Sequence, residues 1–210
     1  MIITFEGIDL SGKSTQIRLL KEYFESEKKK VVSVREPGGT VISEKIRDIL
    51  LDKKHLKMKD LTEFLLFSAS RQQLTEEIII PHLRKKFIVL CDRYYDSSTA
   101  YQGYGGKVDL KIIKSINKTA TGHLIPDITF LIHISIEESI RRKKLIKKNE
   151  DRIERKTISY FNKVTDGYLK IAKNDKDRFV VIDGTLSKEE IRSMIILSIK
   201  NFSRKSKSKK

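Results

Sequence analysis

An α/β fold built on a five-stranded parallel sheet is what this sequence predicts, from three observations. Five short apolar runs rich in β-branched and aromatic residues, at 1–5, 31–34, 87–90, 128–134 and 179–182, are separated by stretches with helical spacing. A glycine-rich loop, Gly7-Ile8-Asp9-Leu10-Ser11-Gly12-Lys13-Ser14-Thr15, directly follows the first run and opens a helical pattern. Residues with chemistry to offer cluster just beyond the ends of the runs, where a parallel sheet covered on both faces keeps its ligands.

The first run leads into the loop with the spacing G-x-x-x-x-G-K-[ST]. Gly7 and Gly12 allow successive N–H groups to face one anion, and the helix opening at Ser14-Thr15 presents its positive end to it. Lys13 is then placed for β- and γ-phosphates and the Ser14 hydroxyl for Mg²⁺, which predicts a nucleoside triphosphate site. In the helix that follows, Ile17, Leu20 and Phe24 with Leu19 and Tyr23 form an apolar stripe. Ile42, Ile46, Ile49 and Leu50 form a second stripe after the next strand, and both are expected to face the core. Between that strand and helix, Arg35-Glu36-Pro37-Gly38-Gly39-Thr40 forces a turn at the ligand edge of the sheet. Arg47, on the helix, is open to two readings, a solvent-facing cation or one reaching back to an anion in the cleft. A further helix over 61–74 puts Phe67 and Arg71 on one face, four residues apart.

The third strand ends in Cys91-Asp92-Arg93-Tyr94-Tyr95, followed by Ser97-Ser98-Thr99-Ala100-Tyr101-Gln102-Gly103. An acid and a guanidinium at the tip of a central strand suit a metal-bound water (Asp92) and a phosphoryl oxygen (Arg93); a structural Asp–Arg pair is the alternative. His55, His82, His123 and His133 are scattered without metal-ligand spacing and are read as structural or exposed.

Composition bounds the rest. The 210 residues fit one α/β domain, and 39% hydrophobic residues suffice for its core. The only cysteine, Cys91, ends an apolar run and is expected to be a buried thiol in a reducing compartment. With no secretory apolar segment at the start and no membrane-length run, a cytoplasmic protein without a membrane partner is expected. The formal charge of +16 raises the possibility of nucleic-acid binding, but no interleaved aromatic and basic motif supports it, so no nucleic-acid partner is expected. Five of the cations lie in an acid-free tail over 204–210, expected to be solvated and disordered. A second basic concentration runs over 141–156, with nine Lys/Arg against Glu150, Asp151 and Glu154.

Four ordered signatures carry a specific resemblance: Phe5-Glu6-Gly7-Ile8-Asp9; Arg35-Glu36-Pro37-Gly38-Gly39-Thr40; Leu66-Phe67-Ser68-Ala69-Ser70-Arg71; and Asp92-Arg93-Tyr94 with Ala100-Tyr101-Gln102-Gly103. In these the chain resembles the thymidylate kinases, which phosphorylate dTMP to dTDP with ATP and Mg²⁺ in the synthesis of dTTP. The likeness runs from Met1 to about Ser187. It implies a P-loop NTPase fold with strand order 2-3-1-4-5, a single kinase domain over 1–203 with a lid at about 137–154, and a homodimer, for which the apolar face over 61–80 is available.

The same resemblance implies roles. Gly7 through Thr15 with Arg141 and Arg142 would hold ATP, and Ser14 and Asp92 the metal. Asp9 would bind the sugar 3′-hydroxyl, Arg47 and Arg93 the acceptor phosphate, Phe67 the face of thymine, Arg71 a ring carbonyl, and Gln102 the rest of the base edge. Tyr101 would lie under the sugar, with Glu36, Pro37 and Ser97 completing the acceptor site. Asp9, Lys13, Arg93 and Arg142 would be catalytic. One branch of the family carries an arginine in the phosphate loop; here that position is Leu10, so the lid must supply it, Arg142 first and Arg141 second. Lys143, Lys144, Lys147 and Lys148 stand where related lids often carry another arginine.

Overall fold

The computed structural model describes residues 1–146 and 150–207, with side chains to Ser203. Strands β1 (Ile2–Glu6), β2 (Val31–Arg35), β3 (Ile88–Asp92), β4 (Ile128–His133) and β5 (Phe179–Asp183) form one parallel sheet in the order β2-β3-β1-β4-β5. Pairing puts Phe5 and Arg35 level with Asp92, and Glu6 level with Leu131. Four strands extend one or two residues past their apolar runs, because ladder hydrogen bonds come from the backbone and do not require an apolar side chain. Glu6, Arg35 and Asp92 are thereby held on the rigid sheet at its ligand edge, not in the loops after it.

Helices α1 (Lys13–Ser26) and α9 (Lys188–Lys207) cover one face. Ile17, Leu20 and Phe24 pack with Ile191, Ile195 and Ile199 against Ile3, Phe5, Phe130, Ile132 and Ile182. Each such side chain stabilises the fold by about 1.5–3 kcal/mol through burial. Helix α8 (Ile158–Asn174) closes a second cluster with Val164, Tyr168 and Ala172 against Leu131 and Phe179. Cys91 is fully buried with its thiol free, and burial pushes that thiol well above its ordinary pKa.

The stripe on α2 (Val41–Leu51) departs from expectation. Leu50 is buried, but Ile42 and Ile49 are exposed. The helix packs chiefly on α3 (Asp60–Leu74) beside edge strand β2, so only part of its apolar arc has a neighbour to cover it. From α3 the chain passes through a π-helical turn at Thr75–Ile79 into α4 (Ile80–Arg84). After β3 come α5 (Tyr95–Ser98), a second π-helical segment at Thr99–Gly105 and α6 (Leu110–Ala120), and after β4 comes α7 (Ile136–Ile146). The expected disordered tail begins inside α9, which runs to Lys207; 208–210 lie outside the described residues. None of the described helices is long and apolar enough to cross a membrane.

Candidate active site

The phosphate loop is shaped by backbone conformations that few residues adopt. Gly7 and Gly12 sit at φ 131° and 107°, and a Cβ at Gly7 would strike the Ile132 carbonyl oxygen. Leu10 is left-handed at φ 63° without being glycine, so the surrounding loop must hold it there. Lys13 is buried, and its Nζ donates to the carbonyls of Gly7 (3.0 Å) and Ile8 (2.8 Å). Burial, reinforced by the Arg93 charge, lowers its pKa to about 8. Ser14 Oγ donates to Asp92 Oδ2 at 2.7 Å, which brings together two side-chain oxygens from α1 and β3. Lys13, Ser14, Thr15, Asp92 and Arg93 line a cavity at the mouth of this loop, while Ser11 is fully buried and its hydroxyl has no partner among the described residues.

At the tip of β3 the two charges do not pair with each other. Asp92 takes Ser14, and Arg93, left-handed at φ 70°, donates to the Gly7 carbonyl at 2.8 Å and to Asp9 Oδ1 at 2.6 Å. Its guanidinium carbon lies 5.2 Å from the centre of the Tyr101 ring. Beside the phosphate loop is a second cavity, lined by Asp9, Glu36, Pro37, Arg47, Leu51, Phe67, Arg93, Ser97, Ser98, Tyr101, Gln102, Asp151 and Ile153. Arg47, open to two readings in the sequence, faces this cleft and donates to the Pro37 carbonyl at 2.9 Å. The two cavities share Asp9, Glu36, Arg47 and Arg93.

The family model described as thymidylate kinase matches residues 5–195. A thymidylate kinase of Sulfurihydrogenibium sp. is 47% identical over 201 residues, 96% of this chain and 97% of that one. Another, of Kosmotoga olearia, is 45% identical over 93% of each. The crystal structure of the thymidylate kinase of Ehrlichia chaffeensis superposes with a TM-score of 0.76 at 35% identity, covering 95% of this chain and 98% of that one.

The chain belongs to the thymidylate kinase family. It has the P-loop NTPase fold, and its activity is phosphorylation of dTMP by ATP to give dTDP.

In this thymidylate kinase Arg71, expected to donate to a ring carbonyl, has its donors engaged within the protein. It is 1% exposed and donates to Glu36 Oε2 (2.8 Å) and Ser98 Oγ (2.8 Å), which line the cavity, and to Asn117 Oδ1 (2.9 Å). A side chain four residues from Phe67 shares its helix face, but that face also meets α5 and α6, and acceptors on these helices, with Glu36 just after β2, take up the guanidinium. Burial raises Glu36 to about 7 against the pull of Arg71, and Glu36 Oε1 is buried without a partner among the described residues.

The segment of this thymidylate kinase expected to form the lid is held at two places among the described residues. On α7, Ser139 Oγ donates to the Asp9 carbonyl (2.9 Å), and Arg142 donates to the carbonyls of Leu10 (2.9 Å) and Gly184 (2.7 Å) and to Glu138 (2.6 Å). Arg141 is mostly exposed and bonds Glu138, which the two arginines hold down to about 2. At the other end, Arg152 is buried, donating to the Leu50 carbonyl (2.7 Å) and pairing with Glu63 (2.7 Å). Lys143 pairs with Glu150 and Glu154 at 3.0 and 3.1 Å. Lys147 and Lys148 lie outside the described residues.

Sequence reasoning assigned no role to Glu6, Tyr168, Ser139, Asp151 or Glu63. Glu6, at the end of β1, accepts from the Tyr94 N–H, Ser97 Oγ and Tyr168 OH, so the floor beside Arg93 is a hydrogen-bonded unit. Only its place inside a recognised signature hinted at this. Tyr168 is drawn in from α8, far along the chain, and Glu63, one turn before Phe67 on α3, meets Gln102 and Arg152 from other segments, so nothing local marks either.

Proposed function

We propose that the phosphate loop, with Lys13, holds the β- and γ-phosphates of ATP while Arg47 and Arg93 hold the phosphate of dTMP, so that an acceptor oxygen attacks the γ-phosphorus in line and ADP leaves. The observation that carries this is the junction of the two cavities at Asp9, Glu36, Arg47 and Arg93. The acceptor phosphate is already a competent nucleophile, so alignment and charge stabilisation suffice and no covalent enzyme intermediate is required.

Lys13 leaves the Gly7 and Ile8 carbonyls to meet the phosphates, and Asp9 accepts from the 3′-hydroxyl. Phe67 and Tyr101 supply apolar faces to base and sugar, and Gln102 meets the base edge with Ser97 and Pro37 alongside. Arg71 acts on this cavity through Glu36 and Ser98, which it orients. Ser14 and Asp92, hard oxygen donors 2.7 Å apart at the loop mouth, fit Mg²⁺ completed by water and phosphate oxygens. When bound, Mg²⁺ would neutralise charge on the phosphates. Arg141 and Arg142 close the donor side, Arg142 by fastening the lid to the phosphate loop.

Exposed Ile42 and Ile49 on α2, Leu61 and Leu65 on α3, and Leu110 and Ile112 on α6 lie on helices that pack together, which supports a homodimer through this layer. Sedimentation equilibrium tests it, and a monomer at micromolar concentration rejects it. We place the enzyme in the cytoplasm on the strength of its single free thiol. The function is tested by ADP release with a panel of monophosphate acceptors, ATP and Mg²⁺; dTMP is expected to lead the panel, and a preference for another base rejects the assigned pocket.

A further inference from the structure

Resting on the placement of Gln102 against the base, we infer that Glu63 is a positioning residue that sets the polarity of base recognition by turning the Gln102 amide nitrogen away from the acceptor cavity and its carbonyl oxygen toward it. Glu63 stands on α3 with its side chain 2% exposed, out of contact with the cavity itself. Its Oε1 accepts from Gln102 Nε2 (2.9 Å) and Lys156 Nζ (2.9 Å), and its Oε2 from Arg152 Nη1 (2.7 Å).

An ionised carboxylate only accepts hydrogen bonds, so the Gln102 amide has one way to face it, with the NH₂ inward. Burial by itself would raise the Glu63 carboxyl; Lys156, the Gln102 bond and Arg152 hold it below the ordinary carboxylate range instead. Gln102 is 2% exposed and lines the cavity, and among the described residues only its Nε2, not its Oε1, meets a protein partner. The amide therefore offers the base an acceptor. A pyrimidine with an N3–H donor, such as thymine, satisfies it. Cytosine sets its N3 lone pair against that oxygen, and an unpaired buried acceptor is strongly rejecting.

Arg152 and Lys156 arrive from the segment that closes the lid, and Arg152 is also fastened to α2 by its bond to the Leu50 carbonyl. One carboxylate thus serves both the seat of the lid and the reader of the base.

The test measures dTMP and dCMP dissociation constants by calorimetry for the full-length parent, Glu63→Gln, Gln102→Leu and the double variant, with kcat and KM for dTMP and ATP alongside. Glu63→Gln frees the amide to turn and is expected to shrink the preference for dTMP over dCMP roughly tenfold, by weakening dTMP and strengthening dCMP, with KM for dTMP moving and KM for ATP holding. In the Gln102→Leu background the Glu63 change should have no further effect on the preference. Because Glu63→Gln strands two cations, the charge-matched Glu63→Gln/Lys156→Gln variant is measured beside it, with the same expectation. A merely structural Glu63 would weaken both ligands equally, which overturns the inference. If Gln102→Leu abolishes the preference while both Glu63 variants keep it, the inference fails and Gln102 stays against the base. If Gln102→Leu leaves the preference intact, both fall.

Discussion

Arg142 donates to the backbone carbonyl of Leu10 at 2.9 Å, so helix α7 is tied to the phosphate loop at the position whose side chain offers no charge. The same guanidinium reaches the Gly184 carbonyl and Glu138, which joins three separate segments of the chain. Arg142→Ala is expected to lower stability by about 1.5–3 kcal/mol, through the loss of charged hydrogen bonds, and to lower turnover because the lid is no longer seated. Arg141→Ala, at an exposed site, should leave the melting temperature unchanged. Thermal melts and steady-state kinetics on both check this; equal melting of the two variants would show that the tether carries no stability.

Lys13 should titrate near 8 in the ATP-free enzyme, because burial and the Arg93 charge lower it. ATP binds the protonated form and raises that pKa. Affinity is therefore full below 8, falls as pH rises through 8, and binding near pH 8 takes up protons. Calorimetry of ATP binding in buffers of differing ionisation enthalpy reads the uptake directly. Lys13→Ala should abolish phosphoryl transfer in a folded protein, since its contacts are with the phosphate loop's carbonyls and not the core.

Removing Arg71 strands Glu36. Arg71→Ala is expected to destabilise the fold by about 3–5 kcal/mol, the usual consequence of breaking a buried pair, and to raise KM for dTMP far more than KM for ATP. Arg71→Met with Glu36→Gln removes both charges and should recover much of the stability while the dTMP defect remains. Urea denaturation and kinetics on the same preparations separate the two effects.

Glu6 supplies a stability test against pH. Burial, with the charge of Asp96 adding to it, raises its carboxyl from 4.5 to about 7 in the folded state. The folded protein then holds the proton that the unfolded chain has released, so this group's contribution is full below 4.5 and is lost as pH rises through 7. Parent enzyme should lose more stability between pH 4.5 and 7 than Glu6→Gln. Urea midpoints across that window check the difference, and parallel curves would mean that Glu6 stays ionised.

The sequence alone determined the parallel sheet, the phosphate loop and the position of Asp92 and Arg93, because strand periodicity and glycine spacing are local properties with one dominant physical outcome. Four short signatures suffice by themselves to place the chain with the thymidylate kinases. Tertiary structure decided where long side chains spend their donors. Arg71 and Phe67 are neighbours on one helix, yet Phe67 lines the cavity and Arg71 spends its donors on Glu36 after β2, Ser98 on α5 and Asn117 on α6. It also decided that Ile42 and Ile49 find no cover within their own chain, that Arg142 meets Leu10, and that Glu63 meets both Gln102 and Arg152. Each of these depends on which distant segment arrives beside a residue. A donor or an apolar face on one element carries no information about that segment, so these contacts exist only once the chain has folded.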